Sequence, residues 1–236
     1  MRTILTIAVA LAAILYGLSG ALQKVEPANF IFDLDNLHDI SRQCVQAQGN
    51  DTGAMVATIV NELRRNDKVA PYLTKQEEWI FNNAGGAMGA YYIIHASESL
   101  IWCLIHLNEI LKFHAGITEY LIIFGTALGT EGHTGRHTAT DYFHILSGVE
   151  KAWKAGSYEP EIYPPGSVHV LQRGEVKQYK MDESCFALEY ARGFIPGMLV
   201  FGYLDGLTST ADFQTLWRQT WVTGWEMVGN LLKGKI

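Results

Sequence analysis

Ser184 to Gly193 reads SCFALEYARG, and its large and small side chains alternate along the whole stretch. Successive side chains of a strand point to opposite faces, so Phe186, Leu188 and Tyr190 share one face. Cys185, Ala187, Glu189 and Ala191 share the other. The bulky face is suited to a packed core. The opposite face is lined by small residues around a single carboxylate, Glu189. Two readings follow. Either the strand is half buried and Glu189 faces water, or the small residues leave room for a ligand and Glu189 is the one charge on a pocket wall.

The surrounding sequence has the same character. From Tyr120 onward, short apolar runs recur: Tyr120 to Leu128, His137 to Ser147, Glu161 to Tyr163, Ser167 to Leu171, Val176 to Met181 and Phe186 to Tyr190. Glycine and proline separate them, at Gly129, Gly132, Gly135, Gly148, Pro164-Pro165-Gly166 and Gly174. Short strands so spaced predict a small barrel or sandwich. In the run from His137 to Ile145, one face carries Ala139, Asp141, Phe143 and Ile145. Asp141 is its lone charge, either a strand-end aspartate in water or the counterpart of Glu189.

Flanking segments are helical. After Pro27 and Asn29, Asp33 or Asp35 can cap a helix running to about Gln46, with Leu37, Ile40 and Cys44 on one face. Asn50-Asp51-Thr52 fits a glycosylation sequon. Met55 to Arg65 predicts a second amphipathic helix, with Val56, Ile59, Val60 and Leu63 inward. Thr74 and Glu77 form a capping box for a short third helix carrying Trp79. In FNNAGGAMG, Phe81 to Gly89, small residues allow close backbone approach, within one chain or between subunits. Past Gly193, Ile195 to Leu207 predicts a helix with Pro196 in its first turn. Thr208 or Ser209 can cap a last helix, where Trp217, Trp221 and Trp225 form one stripe. A buried seam could hold three indoles; their polar tips also suit a membrane interface.

The first segment, Ile4 to Leu22, is free of charge and bounded by Arg2 and Lys24. At about 1.5 Å per residue it matches the roughly 30 Å hydrocarbon core, which predicts a retained anchor; Ser19-Gly20-Ala21 keeps a cleaved signal peptide as the rival. The net charge of −6 over 236 residues, without a basic run, argues against nucleic acid. Cys44, Cys103 and Cys185 are too widely spaced for a zinc motif or a disulfide framework. His133 and His137 are separated by Gly135, and His169 lacks a neighbouring second histidine, so no complete metal set is expected. No nucleotide loop and no nucleophile motif is present.

Four stretches carry a family resemblance: EEWIFNNAGGAMG (Glu77 to Gly89), TEYLIIFGTALGTEGHTG (Thr118 to Gly135), DYFHILSG (Asp141 to Gly148) and FALEYARGFIP (Phe186 to Pro196). Together they resemble the fungal C-8 sterol isomerases and the related sigma non-opioid receptors. NNAGGAMG, GTEGHTG and KQY (Lys177 to Tyr179) look like the isomerase branch. The resemblance implies an α+β protein of the endoplasmic reticulum membrane. Residues 1–24 would be a single-pass anchor and 25–97 a helical linker with the start of the ligand domain. Residues 117–193 would be a cupin-like β-barrel without metal or cofactor, and 194–236 two membrane-facing helices. It also implies a homotrimer, a sterol substrate, contact with the lipid bilayer and inhibition by cationic amphiphilic amines.

The family's ligand-binding glutamate falls on Glu189. The receptor branch places its partner aspartate where this chain has Phe143, one strand period beyond Asp141, and Thr140 replaces an acidic residue common in the isomerase branch. Tyr120 and Phe124 match aromatic pocket positions, as Ile195 and Leu199 match apolar positions on the closing helix. Phe143 and His169 complete the expected substrate-binding set, His169 lying one strand period from a receptor histidine.

The implied reaction moves a ring double bond from Δ8 to Δ7 through a carbocation, with Glu189 and Asp141 sharing the catalytic proton. The rival is a non-catalytic binder of sterols or amines, as in the receptor branch. One departure is large: residues 98–116, ESLIWCLIHLNEILKFHAG, separate His95-Ala96-Ser97 from Ile117-Thr118-Glu119-Tyr120, and their removal restores HASITEY. Plausible codons place a splice donor in Ser97 and an acceptor in Gly116. The segment is then an unspliced short intron. The alternative is a real insertion whose Leu100, Leu104, Leu107, Ile110 and Leu111 form a surface helix.

Overall fold

The computed structural model describes residues 14, 17, 30–73, 79–82, 89–93 and 116–232. Most of the apolar segment Ile4 to Leu22, the capping box Thr74 to Glu77, the glycines of 83–88 and nearly all of the segment 98–116 lie outside the described residues. Among the described residues no helix is long and apolar enough to cross a membrane.

Two helices lead into the sheets. α1 (Leu34–Gln48) is capped by Asp33, whose side chain accepts from Asn36 N at 2.8 Å. α2 (Thr52–Arg65) is capped by Asp51, which accepts from Ala54 N at 2.9 Å, so it starts before the expected Met55. Their apolar faces, including Leu37, Cys44, Met55, Ile59 and Leu63, are buried.

Among the described residues ten strands follow: β1 (Trp79–Asn82), β2 (Gly89–Ile93), β3 (Glu119–Thr126), β4 (Thr130–His133), β5 (Ala139–Ser147), β6 (Glu150–Trp153), β7 (Glu161–Tyr163), β8 (Val168–Leu171), β9 (Gln178–Met181) and β10 (Cys185–Gly193). They form a sheet of order β1-β2-β3-β10-β5-β8 and a smaller one of order β4-β9-β6-β7, all pairs antiparallel. Trp79 therefore starts a strand rather than lying on a third helix. Asn82 pairs with Gly89, within and at the end of the stretch read for close backbone approach. β4 and β6 were not expected, because TEGH and EKAW carry too little apolar alternation to read as strands.

β10 lies between β3 and β5 at the centre of the larger sheet, and its two faces bury different layers. Leu188 and Tyr190, with Leu121, Ile123 and Leu146, pack against Phe32, Leu37, Cys44, Met55 and Ile59 of the helical layer. Cys185 and Ala187, with Phe124 and Ile145, face Met181, Tyr163 and Tyr179 of the smaller sheet. The two sheets thus enclose a barrel-like interior, and period-two alternation sorts one strand's side chains between two cores.

At Gly193 the chain leaves the sheet. Its φ of +146° suits glycine, and a Cβ there would lie 2.5 Å from Ala139 Cα. α3 (Ile195–Thr208) begins at once, with Pro196 in its first turn as expected. α4 (Phe213–Leu232) is capped by Asp212, which accepts from Thr215 N at 3.0 Å. The expected cap at Thr208 or Ser209 is corrected: Thr208 is the last residue of α3, and its hydroxyl bonds back to Leu204 O at 2.8 Å. The helices meet where Gly206 faces Leu216, and Tyr203 OH donates to Thr220 Oγ1 at 2.6 Å. α3 and α4 close one end of the barrel: Ile195, Met198 and Met227 pack on Ala139, Ala191 and Tyr120.

Candidate active site

Beneath these helices lies a partly open cavity of about 250 Å³. Its floor and walls come from the strands: Tyr120, Ile122 and Phe124 of β3, Phe143 of β5, Tyr179 of β9 and Glu189 of β10. Ile195, Met198, Leu199 and Phe201 of α3 and Met227 of α4 form its lid. The lining is largely apolar and aromatic, as small-molecule pockets are.

Glu189 pairs across the sheet with Ile122 on one side and Phe143 on the other, and is 6 % exposed. The reading that sends it to water is therefore excluded. Tyr120 OH donates a hydrogen bond to Glu189 Oε1. Burial first, then the nearby Asp141 charge, push the Glu189 carboxyl up to about 8, with Glu150 adding to the rise and Tyr120 opposing it. The carboxyl is thus predominantly protonated at neutral pH.

Asp141 lies opposite Ala191, one strand period from Glu189, and is fully buried. It sits one layer behind the residues that line the cavity. Its Oδ2 is 2.5 Å from His137 Nδ1, while Oδ1 is buried with no hydrogen-bond partner among the described residues. His137 itself lines the cavity.

Of the expected substrate-binding residues, Tyr120, Phe124, Phe143, Ile195 and Leu199 come together on the wall. His169 does not join them; it stacks between Phe143 and Tyr163, with centroids at 5.7 and 4.4 Å. There it belongs to a buried chain of ionisable groups. Glu150 Oε1 lies 2.9 Å from His169 Nδ1, Lys177 Nζ lies 3.1 Å from His169 Nε2, and Lys177 also reaches Glu161 Oε2 at 2.5 Å. Glu150 touches the cavity at the inner end of this chain, and its Oε2 has no hydrogen-bond partner among the described residues.

His137, Glu150, Tyr179, Met198 and Met227 were not expected at the site. His137 had a legible signal, since it shares the parity of Ala139, Asp141 and Phe143. Tyr179 belongs to the KQY motif, and its hydroxyl is pushed up to about 12, chiefly by burial. For Glu150 and the two methionines there was none, because only tertiary contact brings them in. Among the described residues no cluster of three potential ligands could hold a metal ion.

Fold and site together define a class: an α+β protein whose facing sheets enclose an apolar cavity with a neutral carboxyl and a buried carboxylate partner. A family model described as "ERG2 and Sigma1 receptor like protein" matches residues 7–102 and 108–235, and the chain belongs to that family. It is 62 % identical over 206 residues to the C-8 sterol isomerase of Neurospora crassa, covering 87 % of this chain and 73 % of that protein. It is 58 % identical over 234 residues to the C-8 sterol isomerase erg2 of Aspergillus fumigatus, covering 98 % and 87 %. The sigma non-opioid intracellular receptor 1 of Xenopus tropicalis is 35 % identical over 189 residues, covering 80 % and 77 %. Among solved structures, an RmlC-like cupin from Shewanella frigidimarina matches with a TM-score of 0.36 and 8 % identity, over 50 % of this chain and 86 % of that one. At that score the likeness adds nothing to what the strand pairing shows.

Proposed function

We propose that the chain is a sterol Δ8–Δ7 isomerase working by acid–base chemistry in the cavity. The observation that carries the reading is Glu189: a carboxyl held protonated to about pH 8, inside an apolar cavity, beside a second carboxylate. An alkene is a very weak base, so its acid must be protonated, close and dry. Glu189 donates its proton to C9, and the π electrons of the C8–C9 bond leave a cation at C8. Loss of a proton from C7 then places the double bond between C7 and C8. Proton and electron balance closes without an oxidant or reductant. Of the two carboxyl groups Glu189 holds the proton, and the negative charge of the neighbouring Asp141 carboxylate stabilises the cation.

The apolar residues Phe124, Phe143, Ile195 and Leu199 accept the sterol skeleton, and Tyr120 orients the acid. His169 supports this wall from behind Phe143. A cationic amphiphilic amine inhibits as a mimic of the carbocation. Membership of this family, at up to 62 % identity with a C-8 sterol isomerase, supports the assignment. The same membership supports a cupin-like barrel, an anchor formed by Ile4 to Leu22, residence in the endoplasmic reticulum membrane and a homotrimer.

The deciding measurement is conversion of a Δ8 sterol to its Δ7 isomer by membranes of isomerase-deficient cells expressing this chain, with and without residues 98–116. Conversion by either form supports the isomerase. Conversion by the shortened form alone also marks the segment as an unspliced intron. Amine binding without conversion in either form would reject the enzyme in favour of a receptor-like binder.

A further inference from the structure

We propose that His137 is the base that takes the C7 proton, and that Asp141 is a positioning residue acting on the reaction through it. The proposal rests on the isomerase reading and assigns the second half of that reaction. Asp141 is fully buried, and the imidazole of His137 stands between it and the cavity, with Nδ1 at 2.5 Å from Oδ2. A buried carboxylate requires a charged or hydrogen-bonding partner, and His137 Nδ1–H supplies it. That bond fixes the tautomer: with the proton on Nδ1, the lone pair is on Nε2.

The ring is also held in place. Gly174 N donates to His137 O at 3.0 Å, and Gly135 N donates to His133 Nδ1 at 2.9 Å. Thr134 N bonds to Lys177 O at 3.0 Å, so the short loop before His137 is tied to the strand edge. A Cβ on Gly135 would lie 2.9 Å from His137 Nε2; glycine leaves that ring edge clear. Phe201 of the lid covers the imidazole, with ring centroids 6.1 Å apart. His137, just before β5, and Glu189 of β10 thus face one cavity from separate segments, as an acid at C9 and a base at C7, the two carbons that flank C8 in one ring, must.

The step balances. Glu189 gives its proton to C9, the electron pair of the C7–H bond becomes the new π bond, and that proton goes to His137 Nε2. The resulting imidazolium pairs with the Asp141 carboxylate. After product leaves, a proton passes from the imidazolium to the Glu189 carboxylate, which restores both groups. The competing arrangement uses Glu189 twice, as donor and then as base.

Three variants separate these outcomes. His137→Asn keeps an N–H for Asp141 but has no base. It is expected to convert a Δ8 sterol roughly 100-fold more slowly or worse, while binding a tritiated N-alkylpiperidine as the native chain does. His137→Gly is expected to regain at least about tenfold in turnover with added imidazole, as a replaced base should. Glu189→Gln is expected to lose turnover without imidazole rescue. Near-native turnover in His137→Asn would overturn the proposal and make Glu189 its own base. Joint loss of turnover and amine binding in His137→Asn, with no rescue of His137→Gly, would reduce His137 to a structural role. Full turnover in Glu189→Gln would instead overturn the acid assignment itself.

Discussion

Glu189 is the residue on which charge, burial and chemistry converge. Its carboxyl titrates at about 8 in the folded protein, above an ordinary value of 4.5. Turnover that needs the protonated acid should therefore fall as pH rises through about 8. The same shift is a statement about stability. Below 4.5 the folded and unfolded chains both hold this proton, and the contribution is fully present. Above that, the unfolded chain releases its proton while the folded chain keeps it, so stability declines until about pH 8. Glu189→Gln should abolish both conversion and tight amine binding. It should also lack this decline. Melting curves between pH 6 and 8 should show the native protein losing roughly 5 °C more than the variant, at about 1.4 kcal/mol per pH unit. Parallel curves would mean that Glu189 is ionised in the folded state, and the acid would have to be sought elsewhere.

At the scale of elements, the site depends on how β10 hands over to α3. Glu189 is held by two neighbouring strands, and only four residues later the chain must turn to lay Ile195, Met198 and Leu199 over the cavity. Gly193 makes that exit, with its backbone against Ala139 and Thr138. Gly193→Ala should cost about 3 kcal/mol through positive-φ strain and overpacking. Because the lid starts there, amine affinity should fall with stability; unchanged unfolding and binding would show that the junction tolerates a side chain. This junction was legible in FALEYARGFIP, since alternation stops at Gly193 and Pro196 can open a helix. The two faces of β10 were legible for a related reason: each packs on a different apolar layer, so parity alone separates them. β4 and β6 were hidden because their short, charged sequences gain strand structure only from pairing, β4 with β9 and β6 with both β9 and β7. Trp79 is read as helical from sequence because the local cap signal at Thr74 and Glu77 outweighs a strand whose partner is separated from it by a glycine-rich stretch of sequence. Asp141 falls on the expected face, but the histidine that stands between it and the cavity shares that face and is legible in the sequence only as a candidate metal ligand. Parity identifies a face; depth within it comes from packing.

On the scale of the whole molecule, α3 and α4 have two jobs. Their inner faces supply Met198, Leu199, Gln219, Thr223 and Met227 to the cavity. Their outer faces leave Val200, Leu204, Leu207, Phe213, Trp217, Trp221 and Leu231 exposed, Trp217 by 67 %. The indoles of Trp217, Trp221 and Trp225 follow one another at 6.3 and 5.4 Å along this surface, so the stripe is no buried seam. An apolar face of this kind needs cover, and stacked tryptophans suit the boundary between headgroups and acyl chains. A net charge of −6 makes attraction to anionic lipid an unsuitable explanation for docking there, so burial of apolar area must dominate. We propose that this face lies on lipid, the layer in which a sterol dissolves; the same helices roof the cavity, so access to substrate and attachment to the bilayer would be one device. Replacing Trp217, Trp221 and Trp225 together by serine should raise KM about tenfold for sterol carried in phosphatidylcholine vesicles, each indole contributing a few tenths to about 1 kcal/mol. Turnover of the same sterol in detergent micelles, and amine binding, should stay within about twofold, because the inner faces are untouched. Equal losses in vesicles and micelles would show instead that the tryptophans hold the lid in shape.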